Sequence, residues 1–192
     1  MIAVRRARPD DAPGIAAVHV AAWRSAYAGI LDDAYLANLS EARLAAFYHR
    51  AILDRRDGHA VFVATAGGAD LPADKAGPEP AIVGFASGGR ARRRGLAEGE
   101  VETLYVLDDF RERGVGRRLM RAMGAHLRVI GCRSVLVWVL ADNPARYFYR
   151  RLGGRPAMTD SVLVAGQPVR QSALLWDPID VLLSATAPVK EG

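Results

Sequence analysis

One cysteine, Cys132, stands in 192 residues. That excludes an intramolecular disulfide and any zinc site built on cysteine pairs. The cysteine itself reads as a small buried residue before a strand. No run of eighteen apolar residues occurs, so no segment is long enough to cross a bilayer as a helix. Met1 to Val4 is followed at once by Arg5, Arg6 and Arg8 and then by Asp10 and Asp11, which is not the pattern of a secretory leader. A cytoplasmic protein that makes no membrane contact is expected. Lysine is nearly missing: only Lys75 and Lys190 stand among 26 basic residues, and the net charge of +5 rests on arginine. Such arginine and alanine enrichment reads as base composition rather than as a field for a polyanion. The one dense run, Arg90 to Arg94, holds no aromatic on which a nucleic-acid base could stack, so a nucleic-acid partner is not expected. His19, His49, His59 and His126 show no metal-ligand spacing, and no metal is expected.

Half of the chain, 51%, is hydrophobic, enough for one well-cored domain over residues 1–192. Ile2 to Ala7 reads as a strand. Pro9-Asp-Asp-Ala-Pro opens a helix with its acids in the first turn, and Ile15, Val18, Ala22 and Ala26 share one face. Tyr27-Ala-Gly29 breaks it, and a second helix is expected from Asp32 to Arg56 with Leu36, Leu39, Leu44 and Phe47 in the core. Strands follow at His59 to Thr65, Pro80 to Ser87 and Gly99 to Leu107; Ala66 to Glu79 has no periodicity and reads as a hairpin loop.

A helix from Gly114 to Ile130 carries the apolar stripe Val115, Leu119, Met123, Leu127 and Ile130, and Gly131 stops it. Ser134 to Leu140 is a continuous apolar run of strand length, as in a strand buried on both faces. Asn143 is a competent N-cap with Pro144 at the first helical position, and that helix ends at Gly153-Gly154. Ala157 to Val164 and Val169 to Trp176 form a closing hairpin around Gly166-Gln-Pro168. Strands alternating with helices give a mixed α/β sheet.

Chemistry concentrates at Arg111-Glu112-Arg113-Gly114-Val115-Gly116-Arg117, between a strand and a helix. Glycines permit the tight turn, and the unpartnered N–H groups of the first helical turn point outward with the positive end of the helix dipole, a cradle for a pyrophosphate. A nicotinamide-dinucleotide fold would need this turn after an early strand and an acidic residue about twenty positions on; neither is present.

This turn, followed some thirty residues later by Asn143-Pro-Ala-Arg-Tyr-Phe-Tyr149-Arg-Arg-Leu152-Gly153, resembles the cofactor-binding core of the GNAT superfamily of acyl-CoA-dependent N-acyltransferases. The likeness extends more loosely to Ile2 to Ile15 and to Ala22 to Leu31. It implies a GNAT-like, mostly antiparallel mixed sheet flanked by helices, with a splayed central strand pair. It also implies acetyl-CoA as co-substrate. Main-chain groups of Leu104, Tyr105 and Val106 would hold the pantetheine arm and face the thioester carbonyl, Arg111 to Arg117 the pyrophosphate, and Asn143 the cofactor arm. One departure is Gly154, where the family usually carries an aromatic.

In the same resemblance Tyr149 is the general acid, able to protonate a departing thiolate, and Glu100 or Glu102, two apart on one strand face, is the base for the attacking amine. Trp23 and Tyr27 fall where the acceptor would bind. No nucleophilic cysteine or Ser-His-Asp arrangement is legible, which favours direct transfer to an amine of a small molecule or peptide. The alternatives are a catalytically silent acyl-CoA-binding module and, further off, a nucleic-acid-binding protein. The closing hairpin and a helix near Ile179 to Leu183 could supply a homodimer surface.

Overall fold

The computed structural model of the protein describes residues 2–54, 56–71, 80–93 and 95–188. Arg94 and residues 72–79 of the 66–79 loop lie outside the described residues. The strands are β1 Ala3–Arg6, β2 Ala60–Ala66, β3 Ala81–Arg90, β4 Gly99–Val106, β5 Val135–Leu140, β6 Arg155–Val164 and β7 Gln167–Trp176, in one sheet ordered β1-β2-β3-β4-β5-β7-β6. Every neighbouring pair is antiparallel except β4 and β5, which run parallel.

Helices α1 Ala12–Ala26, α2 Asp33–Ala37 and α3 Glu41–Leu53 lie on one face, where Ile15, Val18 and Tyr48 pack on Val61, Val63 and Phe85. Helix α4 Val115–Val129 covers the other. Its stripe Val115, Leu119, Met123 and Leu127 is fully buried, each side chain contributing about 1.5–3 kcal/mol. Gly131, at φ +89°, turns the chain out of the helix as only glycine does cheaply. Helix α5 Ala145–Arg151 follows β5, and α6 Asp180–Ala185 packs against α4.

Two expectations are corrected. The single helix over Asp32 to Arg56 is two, because it contains two caps: Asp32 Oδ1 accepts from Tyr35 N (2.8 Å), and Ser40 Oγ accepts from Arg43 N (3.3 Å). Phe47 is 54% exposed, and its neighbour Tyr48 takes the core position. Tyr48 can be buried because its hydroxyl finds His19 Nδ1 at 2.7 Å.

The feature that positions the site is a parting of β4 and β5. They pair only over Gly99, Glu100 and Val101 with Val135, Leu136 and Val137. Beyond that each stays bound to its outer neighbour, β4 to β3 and β5 to β7, so a gap opens between them. The parting coincides with a bulge: Ser87 faces Thr103 and Gly88 faces Val101, leaving Glu102 as the extra residue of β4.

Candidate active site

Strand alternation decides which main-chain groups see the gap. Leu107 N donates to Val83 O (3.0 Å), so the directly opposed pair Tyr105 and Phe85 also exchanges its bonds with β3. The N–H and C=O of Leu104 and Val106 therefore turn into the gap, and those of Tyr105 turn away from it. What Tyr105 presents to the site is its phenol.

That phenol belongs to an aromatic cluster on the α1 side. His19, Trp23 and Tyr27 recur every fourth residue along α1 and its end, with ring centroids 5.0 and 4.9 Å apart. Tyr105 lies 5.2 Å from His19, 6.4 Å from Trp23 and 5.6 Å from Phe85. Burial pushes the Tyr105 phenol well above its ordinary pKa, and the Tyr27 charge adds to this. The Trp23 indole N–H is buried near the Tyr105 oxygen but outside hydrogen-bond geometry. His19, enclosed between these rings, is held down to about 4 by desolvation and is neutral.

Tyr27 connects this cluster to α5. Burial raises its phenol pKa, and the side chains of Tyr105 and Asn143 draw it back down. Asn143 Oδ1 accepts from Ala145 N (2.8 Å), the expected cap, which leaves its amide NH2 for the Tyr27 side. Tyr149 stands on the same helix, 5% exposed, with burial as the main cause and the Tyr27 charge as a second cause of a raised pKa. Its ring meets Trp176 edge-on at 6.2 Å. Trp176 also accounts for Gly154: a Cβ there would stand 2.8 Å from the indole, whose Nε1 donates to Leu152 O (2.8 Å).

The two glutamates face one way, as their spacing predicts, and Arg92 spans them. Its Nη2 is 3.0 Å from Glu100 Oε1 and its Nε 3.8 Å from Glu102 Oε1. Glu100 is buried, whereas a quarter of the Glu102 side chain is exposed. His59 Nε2 lies 3.6 Å from Glu102 Oε2. This partner holds the Glu102 carboxyl below the usual range against the opposing effect of burial, and the carboxylate raises His59.

In the glycine turn Glu112 (φ +59°) and Gly114 (φ +75°) are left-handed. The first helical bond is Arg118 N to Gly114 O (3.1 Å), and among the described residues the main-chain N–H groups of 112 to 117 make no backbone bond. The arginines are engaged elsewhere: Arg111 with Asp108 (2.8 Å), Arg113 with Asp70 (3.5 Å), and Arg117 Nη2 with Ala187 O (2.7 Å). A separate cleft of about 970 Å³ lies between the start of α1 and the ends of β3 and β4. It reaches Leu107 and Phe110 but none of the phenols.

His19, Tyr48, His59 and Arg92 were not among the candidates read from sequence. The His19-Trp23-Tyr27 spacing could have found the first; Tyr48 meets it through the packing of α3 on α1, and His59 and Arg92 reach the glutamates only through the pairing of β2, β3 and β4. Among the described residues no helix is long and apolar enough to cross a membrane, and no group of three or more His, Cys, Asp or Glu could hold a metal.

A mixed sheet parted between parallel neighbours, with a glycine turn after the first of them, is an acetyltransferase fold. The PaiA N-acetyltransferase of Thermoplasma acidophilum, solved in complex with coenzyme A, matches 90% of this chain and 98% of its own at a TM-score of 0.66 and 18% identity. YncA of Salmonella typhimurium, a putative acetyltransferase solved with acetyl-CoA, matches 99% of both chains at 0.63 and 18%. A family model described as FR47-like protein matches residues 87–163. The uncharacterized N-acetyltransferase YuaI of Bacillus subtilis is 30% identical over 187 residues, 95% of this chain and 96% of the relative. The chain belongs to the GCN5-related N-acetyltransferase family, and its activity is acetyl transfer from acetyl-CoA to an amine.

Proposed function

We propose that the acetyl-CoA arm lies in the gap between β4 and β5, and that transfer to a primary amine takes place directly at the point where the strands part. The observation that carries this reading is the coincidence of the Glu102 bulge with the last β4–β5 pair, Val101 with Val137. Main-chain groups of Leu104 and Val106 hold the arm as an added strand would, and one N–H faces the thioester carbonyl. Donors of this kind contribute about 2.7–4 kcal/mol each to acyl transfer. The N–H groups of Glu112 to Arg117 hold the pyrophosphate. Acetyl-CoA supplies the acyl group as an activated thioester.

Tyr149 is the acid. Its raised pKa keeps the phenol protonated through the neutral range, so its Oη has a proton to give to the departing sulfur. Glu102 is the base rather than Glu100: it is the bulge residue, it retains exposure, and its carboxylate stays ionised beside His59. Tyr27 and Asn143 keep the Tyr149 side of the gap closed to water, and Trp23 with Tyr27 lines the acceptor side. The acceptor is an amine of a small molecule or peptide.

Calorimetric titration with acetyl-CoA followed by thiol release over a panel of amines tests the reading. Micromolar binding with turnover that falls at least a hundredfold in Glu102→Gln, and less in Glu100→Gln, is expected. Binding without turnover on any amine would leave a silent acyl-CoA-binding module instead.

A further inference from the structure

Below the parting of β4 and β5, on the face covered by α1 to α3, the loop between β3 and β4 lays two arginines across the sheet. Arg92 reaches Glu100 and Glu102 on β4. Arg93 runs over β5 toward β6, on the far side of β7: its guanidinium carbon sits 5.3 Å from the centroid of the Trp138 ring, and Nη1 pairs with Asp160 Oδ2. Trp138 is the first β5 residue beyond the last pair with β4, and it alternates with Val137 and Val139, which face the α4 core. Above the arginines, Tyr27, Leu31 and Leu140 close the same face. The acceptor side of the gap is thus bounded by aromatic and apolar residues on one side and by Arg92 and Arg93 on the other.

The charges of this boundary are arranged unevenly. The carboxylates are largely covered, at 6%, 25% and 34% exposure for Glu100, Glu102 and Asp160, while the side chains of Arg92 and Arg93 are 70% and 57% exposed. An arriving molecule meets guanidinium groups first. A polycation would have to break the ion pairs to reach the acids behind them. An anionic group needs only donors that Arg93 has not used: one of its five N–H groups serves Asp160, and the ring beneath and carboxylate behind hold the rest in place.

We propose that Arg93 is a specificity-determining residue that binds a carboxylate carried by the acceptor, which is therefore an amino acid, short peptide or other amine with an anionic group at its far side. The inference rests on the acceptor lying on the Glu102 side of the gap. Arg93, seated on Trp138 and backed by Asp160, is a prepared fork for a planar anion.

The test uses the full chain with acetyl-CoA and three matched series: ω-amino carboxylates of two to six carbons, alkylamines of equal length, and diamines of equal length. The expected result is kcat/KM at least tenfold higher for one amino carboxylate than for its alkylamine. In Arg93→Ala that advantage falls at least tenfold, through KM, and Arg93→Lys restores part of it. Asp160→Asn, which unties the guanidinium from its backing, raises KM for the amino carboxylate at least threefold and leaves KM for the alkylamine unchanged, a split that a general loss of structure would not give. Diamines as the best acceptors, or an advantage unchanged in Arg93→Ala, would overturn the proposal. If no amine turns over, binding of the amino carboxylates to CoA-loaded protein is measured by calorimetry, and affinity indifferent to Arg93→Ala overturns it equally. Loss of acetyl-CoA binding itself would refute the gap instead.

Discussion

Gly88 and Glu100 approach so closely across β3 and β4 that a Cβ on the glycine would stand 2.3 Å from the Glu100 carbonyl oxygen and 3.1 Å from Met123 Sδ. This contact sits beside the Glu102 bulge, and it makes the parting of β4 from β5 depend on a residue outside the site. Gly88→Ala pushes β4 backbone, which cannot rotate aside as a side chain would. Overpacking of this kind costs about 1–3 kcal/mol, a Tm loss of roughly 2–12 °C for a chain of this size. Weaker acetyl-CoA binding should accompany it, measured by thermal unfolding and calorimetry on the same sample. A variant as stable and as tight as the parent would detach the bulge from the gap.

Tyr149→Phe removes one buried hydroxyl and keeps the ring contacts with Phe148 and Trp176. With Tyr149 in its proposed role as proton donor to the departing thiolate, the substitution should lower kcat by about 10²–10⁴. Acetyl-CoA affinity should stay within a few-fold. Burial raises the phenol pKa, so Tyr149 keeps its proton through the neutral range. Full turnover with an unchanged pH profile in the variant would move the acid to another group, and Tyr27→Phe is the comparison that would show it.

Two histidines make opposite contributions to acid stability. His19, held at about 4 when folded and near 6.5 when unfolded, binds its proton more readily in the unfolded chain. Stability is therefore lost as pH falls from 6.5 toward 4, by about 3 kcal/mol at most. His59 is raised by Glu102, so its pairing stabilises fully below the unfolded pKa and is lost as pH rises through the folded one. Urea midpoints between pH 4.5 and 7.5 should show a flatter acid side in His19→Gln and a lower one in His59→Gln. Parallel curves for both variants and the parent would refute the assignment.

The parts of this protein governed by local rules were legible in its sequence. Gly131 ends α4 and Asn143 caps α5 because their conformations are set within a turn. The stripe of α4 follows from spacing alone. The division of α2 from α3 is equally local, since Ser40, three residues before Arg43, is an ordinary cap. What no spacing contains is register. That Glu102 is the bulge, that His59 meets it from β2, and that Trp176 fills the volume beside Gly154 all depend on strands far apart in the chain. Gly88-Gly89 within a strand was the one local sign of the bulge.

The arginines of the glycine turn supply the last prediction. Arg111 and Arg113 are tied to Asp108 and Asp70, and Arg117 reaches across α4 to the Ala187 carbonyl with its Nε buried and unpartnered. In the proposed reading pyrophosphate binding is then left to the N–H groups of 112 to 117, whose direction depends on the left-handed Gly114. Gly114→Ala forces a side chain into that conformation at about 1–2 kcal/mol, so acetyl-CoA affinity should fall roughly 5- to 30-fold as the turn relaxes. Arg117→Ala should change affinity less than about threefold and lower Tm by a few degrees, since it unties the segment after α6. Calorimetry on the two variants separates the possibilities. A larger loss in Arg117→Ala than in Gly114→Ala would mean that side-chain charge, not the main chain, holds the phosphates.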